Sequence, residues 1–325
     1  MAEPESGHSG PDLPAESPVV VRALRRRDIP GAVSLRRHLW PDDVMTPESM
    51  AWGIDHAGPA ERVRRWVATS HGVVVGWAVA GLATWTTGRV GYTYFGVVRE
   101  RRGHGIGRQL YRAADRHLET FRPTRTITGS EHGDEASAQF LSARGFRPTR
   151  RDQAWSVDPR AVDVSELPAR RAAAESAGFR LVAVRSLLDR PKELYRLHFA
   201  LEADLPSDTP IAEPYESWRT SELETPIFAP DASFCVVRAG RPVALTWIRL
   251  DAAGHRAAHG MTGTRRQYRH RGLARLVKLA SIAWLAENGV TALYTDNDAE
   301  NRDMLALNEH LGFQPLTVFD LWARA

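Results

Sequence analysis

The sequence predicts an α/β chain, more narrowly an α+β fold with a mixed sheet, built twice in tandem. Three observations carry that prediction. A basic, glycine-rich loop, Val97-Val98-Arg99-Glu100-Arg101-Arg102-Gly103-His104-Gly105-Ile106-Gly107, stands between strand-like and helix-like sequence. The same loop returns as Thr264-Arg265-Arg266-Gln267-Tyr268-Arg269-His270-Arg271-Gly272-Leu273-Ala274. The elements around each loop come in one order, closing with Gly145-Phe146 and Gly312-Phe313. A repeat on this scale decides the fold before any single element does.

The chain has 325 residues, room for two ordinary domains. Residues 1–18, rich in Pro, Ser, Gly and Glu, read as a disordered tail. The first unit spans 19–158. A strand at Val19 to Leu24 precedes a helix that Asp28 caps and Pro41 ends, and Thr46-Pro47 opens a second helix. Arg65 to Ser70 and Val73 to Leu82 form a hairpin around His71-Gly72, and Arg89 to Val98 leads into the loop. Gly107, Leu110, Ala114, Leu118 and Phe121 then keep helical spacing. A short strand at Arg125 to Thr128, a helix at Ser137 to Arg144 and a closing strand at Arg147 to Val157 complete the unit. Residues 159–178 read as a linker helix. The second unit, 179–325, repeats the order, with a hairpin around Ala239-Gly240-Arg241, a proline-dense segment at 206–230 and a closing strand at Leu316 to Trp322.

The loops read as phosphate cradles. The first N–H groups of a helix have no partner within it, glycine lets the main chain approach a ligand, and the helix dipole favours an anion there. A lone glycine loop fits a dinucleotide or nucleotide site as well. Neither copy, however, carries Gly-Lys-Ser/Thr, or a Gly-x-Gly-x-x-Gly turn after a first strand.

Hydrophobic residues make up 43% and charged residues 25%, as in ordinary globular domains, and the net charge is +4. That mild charge, spread over arginines, argues against nucleic acid as a partner. Lys192 and Lys278 are the only lysines. No apolar run approaches a membrane span, and no secretory leader is visible. The single cysteine, Cys235, lies in an apolar strand pattern, which predicts a buried core thiol and suits a reducing cytoplasm. No histidine pair has metal-ligand spacing, so no metal is expected.

With both loops and both Gly-Phe pairs in register, the chain resembles the GNAT acyltransferase superfamily. The loop signature Arg/Gln-x-x-Gly-x-Gly/Ala matches Arg102 to Gly107 and Arg269 to Ala274. The double arrangement is similar to tandem proteins of actinobacterial type, of which mycothiol synthase is one kind. The resemblance implies two tandem GNAT folds, acetyl-CoA as acyl donor and a primary amine of a small molecule or peptide as acceptor, in a monomer or homodimer. It implies that Val97, Val98, Arg102, Gly103, His104, Gly105, Ile106, Gly107 and Arg108 bind the donor in the first unit. Thr264, Arg269, His270, Arg271, Gly272, Leu273 and Ala274 do so in the second, helped by Asn297 and Asn301, although Asn297 reads equally as a helix cap.

The catalytic residues are less defined. The strand before each loop lacks the glutamate that many members carry there, which leaves Glu131 and His132, or His259, Asp296 and Glu300, as bases. The tyrosine that many members place four residues before the Gly-Phe glycine is Leu141 in one unit and Asn308 in the other. Tyr94 or Tyr92 can face the acceptor. The polar Asn308, with Asn297 and Asn301, tips the expected chemistry to the second unit. The rival reading is a non-catalytic acyl-CoA-binding or regulatory protein.

Overall fold

The computed structural model describes residues 18–205 and 211–325, so nearly all of the predicted tail and part of the proline-dense segment lie outside the described residues. The first half contains β1 (Val20–Ala23), α1 (Ile29–Leu39), α2 (Pro47–Asp55), β2 (Arg64–Ser70), β3 (Val73–Leu82), β4 (Val90–Val97), α3 (Ile106–Glu119), β5 (Arg125–Glu131), α4 (Glu135–Ser142) and β6 (Arg147–Val157). After α5 (Leu167–Ser176) come β7 (Phe179–Ala183), α6 (Pro191–Glu202), α7 (Tyr215–Trp218), β8 (Phe234–Arg238), β9 (Arg241–Asp251), β10 (Arg256–Thr264), α8 (Leu273–Glu287), β11 (Ala292–Asp298), α9 (Arg302–His310) and β12 (Gln314–Arg324).

The twelve strands of the described residues all join one mixed sheet, in the order β1-β2-β3-β4-β5-β12-β6-β11-β10-β9-β8-β7. Among the described residues only β4–β5 and β10–β11 pair in parallel, each bridged by the helix that follows a glycine loop. The α1 and α2 helices cover one face of the first half, and α6 with α7 cover that face of the second; α3 and α8 lie on the other. The α5 helix is more than a tether: Ala174 packs with Phe179 and Leu181 of β7 and with Leu273, Leu276 and Val277 of α8. Cys235 is buried, and burial raises its thiol pKa, as a core thiol requires.

One feature departs from two self-contained units. Each closing strand crosses to the other half. The β12 strand pairs with β5 from Phe319↔Glu131 to Arg324↔Thr126, and β6 pairs with β11 from Val157↔Leu293 to Asp152↔Asp298. The side chains follow the strands. Trp322, near the C-terminus, is buried against Tyr111, Leu141 and Phe146 of the first half and donates from Nε1 to Ser130 Oγ at 2.9 Å. Arg324 donates to Tyr111 Oη at 2.8 Å and pairs with Asp115 at 2.7 Å. Reciprocally, Trp155 of β6 lies in the second core with Leu279, Ile282 and Leu293. Trp322→Ala is expected to lower unfolding free energy by about 3–5 kcal/mol, the range for a buried aromatic. Denaturant titration should show one transition shifted as a whole, and separate transitions for the halves would contradict this coupling.

Candidate active site

Both loops place a left-handed residue directly before a helix: Gly105 at φ +77° caps α3, and Gly272 at φ +71° caps α8. Only glycine adopts that conformation without cost. A Cβ at Gly103 or Gly105 would meet nothing within 4 Å, so the first cradle is open to a ligand. In both copies the signature arginine ties the loop to its strand, with Arg102 Nε donating to Val97 O and Arg269 Nε to Thr264 O, each at 3.2 Å. Arg102 also reaches Asp134 at 3.4 Å, whereas Arg269 shares Asp204 with Arg266 at 2.5 Å. His104 Nδ1 lies 2.8 Å from Arg102 O, and His270 takes a left-handed φ of +59° where the first copy has Gly103. A cavity of about 160 Å³ beside Gly272 is lined by Arg170, Phe179 and Arg271.

The halves differ where the parallel strands part. The β4–β5 ladder ends at Tyr92↔Ile127, while β3 and β4 stay in register without interruption from Leu82↔Gly91 to Gly76↔Val97. Aromatic rings fill this opening. Tyr94 lies against Gly129, and Phe95, Tyr111 and Phe140 form a trio with centroids 5.6–5.7 Å apart. Burial pushes the phenols of Tyr92 and Tyr94 up to about 12, so both hold their protons at neutral pH.

The β10–β11 ladder ends at Ala258↔Tyr294, and here β10 bulges. Its register against β9 jumps between His259↔Ile248 and Thr262↔Thr246, so Gly260 and Met261 both stand opposite Trp247. A bulge leaves main-chain groups without ladder partners. Polar side chains line the α8 side. Fully buried Lys278 donates from Nζ to Asn308 Oδ1 at 2.7 Å, and Asn308 Nδ2 donates to Asn297 Oδ1 at 2.7 Å. Asn297 is therefore part of this chain, and Asn301 is the helix cap, accepting from Met304 N at 3.4 Å. His259 is buried beside them, and neither ring nitrogen has a hydrogen-bond partner among the described residues. Burial and the neighbouring Lys278 charge hold its pKa well below the usual value. Burial also brings Lys278 down to about 7, although Asp296 opposes the shift.

The opposite sheet face is acidic. Asp296 raises its side chain from β11 onto that face, one strand from Asp152 of β6. Burial and then the Asp296 charge push Asp152 up to about 6, and Asp42, in the loop after α1, reaches about 6 mainly by burial. Asp296 itself is raised by burial, with Arg249 and Lys278 opposing. Asp296 is nevertheless exposed to solvent, so it lies in a concave part of the surface, crowded by protein atoms and not sealed inside. The halves close beside this cleft through Trp52 Nε1 donating to Thr220 O at 3.0 Å, Arg256 donating to Pro41 O and the Arg37–Asp251 pair. A cavity of about 400 Å³ lined by Glu48 and by the Arg37–Asp251 pair also opens between the halves, but none of Asp42, Asp152, Asp296, Lys278 and His259 lines it.

The sequence-predicted residues thus fall into separate places. Lys278, Asn308, Asn297 and His259 meet on one side of the second opening, and Asp296 stands on the other. Glu131 ends β5, exposed, in a row Glu131↔Phe319↔Asp152 that spans the exchanged strands. His132 faces Asp320 at 2.9 Å, and Glu300 takes a turn position with its N–H on Asp298 Oδ1 at 2.7 Å. Asn308, wholly buried, uses its amide to join Lys278 to Asn297, and an amide is not an acid that could protonate a leaving group. Sequence reasoning missed Asp42, Asp152 and Lys278. For Lys278 a signal existed: one of two lysines, set in an apolar helix. Among the described residues no group of three or more His, Cys, Asp or Glu is placed to hold a metal ion, and no helix is long and apolar enough to cross a membrane.

Residues 32–146 and again 194–313 match the family described as Acetyltransferase (GNAT) family. No curated protein matches the sequence. Among solved structures, a tandem GNAT protein from the clavulanic acid biosynthesis pathway is 20% identical, with 94% of this chain and 98% of that one covered and a TM-score of 0.67. A GCN5-related N-acetyltransferase from Sphaerobacter thermophilus is 17% identical over 94% and 95%, with a TM-score of 0.66. A glucosamine N-acetyltransferase region of a fungal multi-domain β-N-acetylglucosaminidase is 16% identical over 97% of this chain and 39% of that one, with a TM-score of 0.64.

The raised Asp152 pKa fixes the sign of a stability test. An aspartate with a folded pKa above its unfolded value adds stability below the unfolded value and loses it as pH rises through about 6. Asp152→Asn should therefore stabilise the fold by about 1–2 kcal/mol at pH 8 and by little at pH 4. Thermal melts at the two pH values check it, and an equal effect at both would refute it.

Proposed function

The chain belongs to the GNAT acetyltransferase family, and from that premise we propose an acetyl-CoA-dependent N-acetyltransferase whose chemistry runs in the second half. The observation that carries this is the β10–β11 opening. It combines a bulged main chain at Gly260-Met261, a glycine cradle at the helix beyond it and a carboxylate of raised pKa at its floor. The cradle residues Arg269 to Ala274 would receive the pyrophosphate on the N-terminus of α8. A main-chain N–H freed by the bulge would polarise the thioester carbonyl. The acceptor is a primary amine, drawn as a cation into the Asp42–Asp152–Asp296 cleft. Asp296, raised above the ordinary carboxylate range, takes the amine's proton before attack. In the first half the aromatic filling between β4 and β5 favours a scaffold role, which Tyr94 and Phe95 support by occupying the opening. The proposed functional units are 19–158 and 179–325, joined by 159–178.

Calorimetry with acetyl-CoA on the parent, Gly105→Trp and Gly272→Trp tests the assignment. One equivalent bound by the parent and by Gly105→Trp, with none bound by Gly272→Trp, is expected. Two sites, each lost separately, would mean that both halves load. No binding by a folded parent would end the acyl-CoA reading. With acceptor amines screened by thiol release, Asp296→Asn should lower kcat about 100-fold and remove the acid limb of the pH profile. Binding without turnover on a broad panel would favour the non-catalytic alternative.

A further inference from the structure

Lys278 has no packing reason to be a lysine. Its position, six residues after the loop glycine, is held in the first half by Tyr111, a core aromatic whose phenol is bound by Arg324. In the second half the side chain is completely enclosed, and its one hydrogen bond among the described residues goes to Asn308. Its nitrogen also lies 5.1 Å from the Phe313 ring centroid. An ammonium carries three N–H donors, and one bond leaves the others unused. Close by, His259 leaves both ring nitrogens unused. Native interiors rarely hold such groups without purpose, and an apolar residue of similar length is usually the more stable choice. Both groups lie where the β10–β11 ladder has ended, so their free valences belong to the opening.

We propose that Lys278 gives a proton to the CoA sulfur as the thioester breaks. This rests on the acyl-CoA reading of the second half. The substrate nitrogen forms a bond to the acyl carbon, the carbon–sulfur bond breaks, and its electron pair stays on sulfur. The sulfur takes a proton from the Lys278 ammonium, which becomes a neutral amine. A cationic amine first passes one proton through Asp296 to solvent, and the proton that the nitrogen sheds as it bonds to carbon then goes to Asp296. Exchange with solvent recharges Lys278 and discharges Asp296 when the products leave. The titratable groups that reach Lys278 are His259 from β10 and Asp296 from β11; α9 offers only the Asn308 amide, and Phe313 closes the remaining side. An amine held near 7 gives its proton readily to a thiolate whose own pKa is about 8.5 in a cysteine-like thiol.

The chain's lysine content makes this measurable. In lysine-labelled protein only Lys192 and Lys278 give side-chain signals, and Lys192→Arg separates them. The Lys278 signal should titrate near 7 and move when CoA is added, but not when CoA lacking its sulfur is added. Kinetics should use acetyl-CoA with hydroxylamine, a nucleophile small enough to need no acceptor pocket and already neutral at pH 7. Lys278→Met should lower kcat about 100-fold, with KM for acetyl-CoA within about threefold, and remove the basic limb of the kcat profile. Lys278→Arg keeps a cation and a donor for Asn308 but holds its proton, and should lose as much. Rescue by arginine, an intact basic limb in Lys278→Met, or equal shifts with CoA and its sulfur-free analogue would overturn the proposal. Absence of any CoA binding would instead remove the acyl-CoA reading on which it rests. If Lys278→Met does not fold, the parent titration with the two ligands decides alone.

Discussion

The crossing of β6 and β12 is the constraint on which the rest of this molecule depends. Two GNAT units side by side would each leave an exposed edge next to the last strand, with main-chain groups seeking partners. Exchanging the closing strands removes both edges and carries a tryptophan into each opposite core, Trp322 one way and Trp155 the other. The exchange also sets register. Because β6 runs beside β11, the first-half residue Asp152 is paired with Asp298 and lies one strand from Asp296. The acidic cleft is therefore a product of the tandem arrangement and belongs to neither half alone.

Within that frame the two halves have kept the same loop and lost the same interior. The glycines before α3 and α8 have nearly equal φ, and each signature arginine makes the same bond to its strand. Such backbone geometry is needed for any anion to reach a helix N-terminus, and one cradle can keep it without the chemistry that follows. Between the strands the contrast is plain. Tyr94, Phe95, Tyr111 and Phe140 fill the first opening with ring contacts, whereas the second holds a bulge, a lysine, a histidine and two asparagines. Ring packing stabilises the first half as a wall for its partner, and the polar lining of the second costs stability that packing alone cannot explain.

What was legible in the sequence follows from the range of the interactions involved. The glycine cradles, the hairpins at His71-Gly72 and Ala239-Gly240 and the Gly-Phe stops are local, each set by a few adjacent residues. The glycines among them, Gly72, Gly240, Gly145 and Gly312, take the left-handed φ that glycine alone adopts freely, while His71 and Ala239 are carried into it by the tight turn they share with a glycine. The strand exchange was not legible, because β6 and β12 carry the same alternating pattern whichever neighbour they join, and the choice depends on cores more than a hundred residues away. Asp42 and Asp152 carry no local mark in the sequence, since nothing near either reveals that one sits over the sheet that contains the other. Asn297, Asn301 and Asn308 stood out as polar residues at helix-start and helix-interior positions, but their division into one cap and one buried chain needed the fold.

The energetics of Lys278 bear on which half performs the chemistry. Its pKa, lowered from 10.5 to about 7, means that the unfolded chain binds more protons than the folded one between those values. Stability tied to this residue is present above the unfolded value and lost as pH falls toward 7. At neutral pH the fold therefore carries an unfavourable charge at its centre, where a methionine would fit and stabilise. The penalty is confined to the second opening. In the first half the matching position holds a tyrosine that Arg324 secures and burial keeps protonated, with its pKa raised to about 12. Burial raises the carboxylates on the other face and like charge adds to it: Asp296 further disfavours ionisation of Asp152 and Asp42, and their shared cleft favours an arriving cation. An amine held near neutrality on one side of the sheet and carboxylates raised on the other are what proton transfer in both directions requires, and among the described residues the β10–β11 opening alone has both.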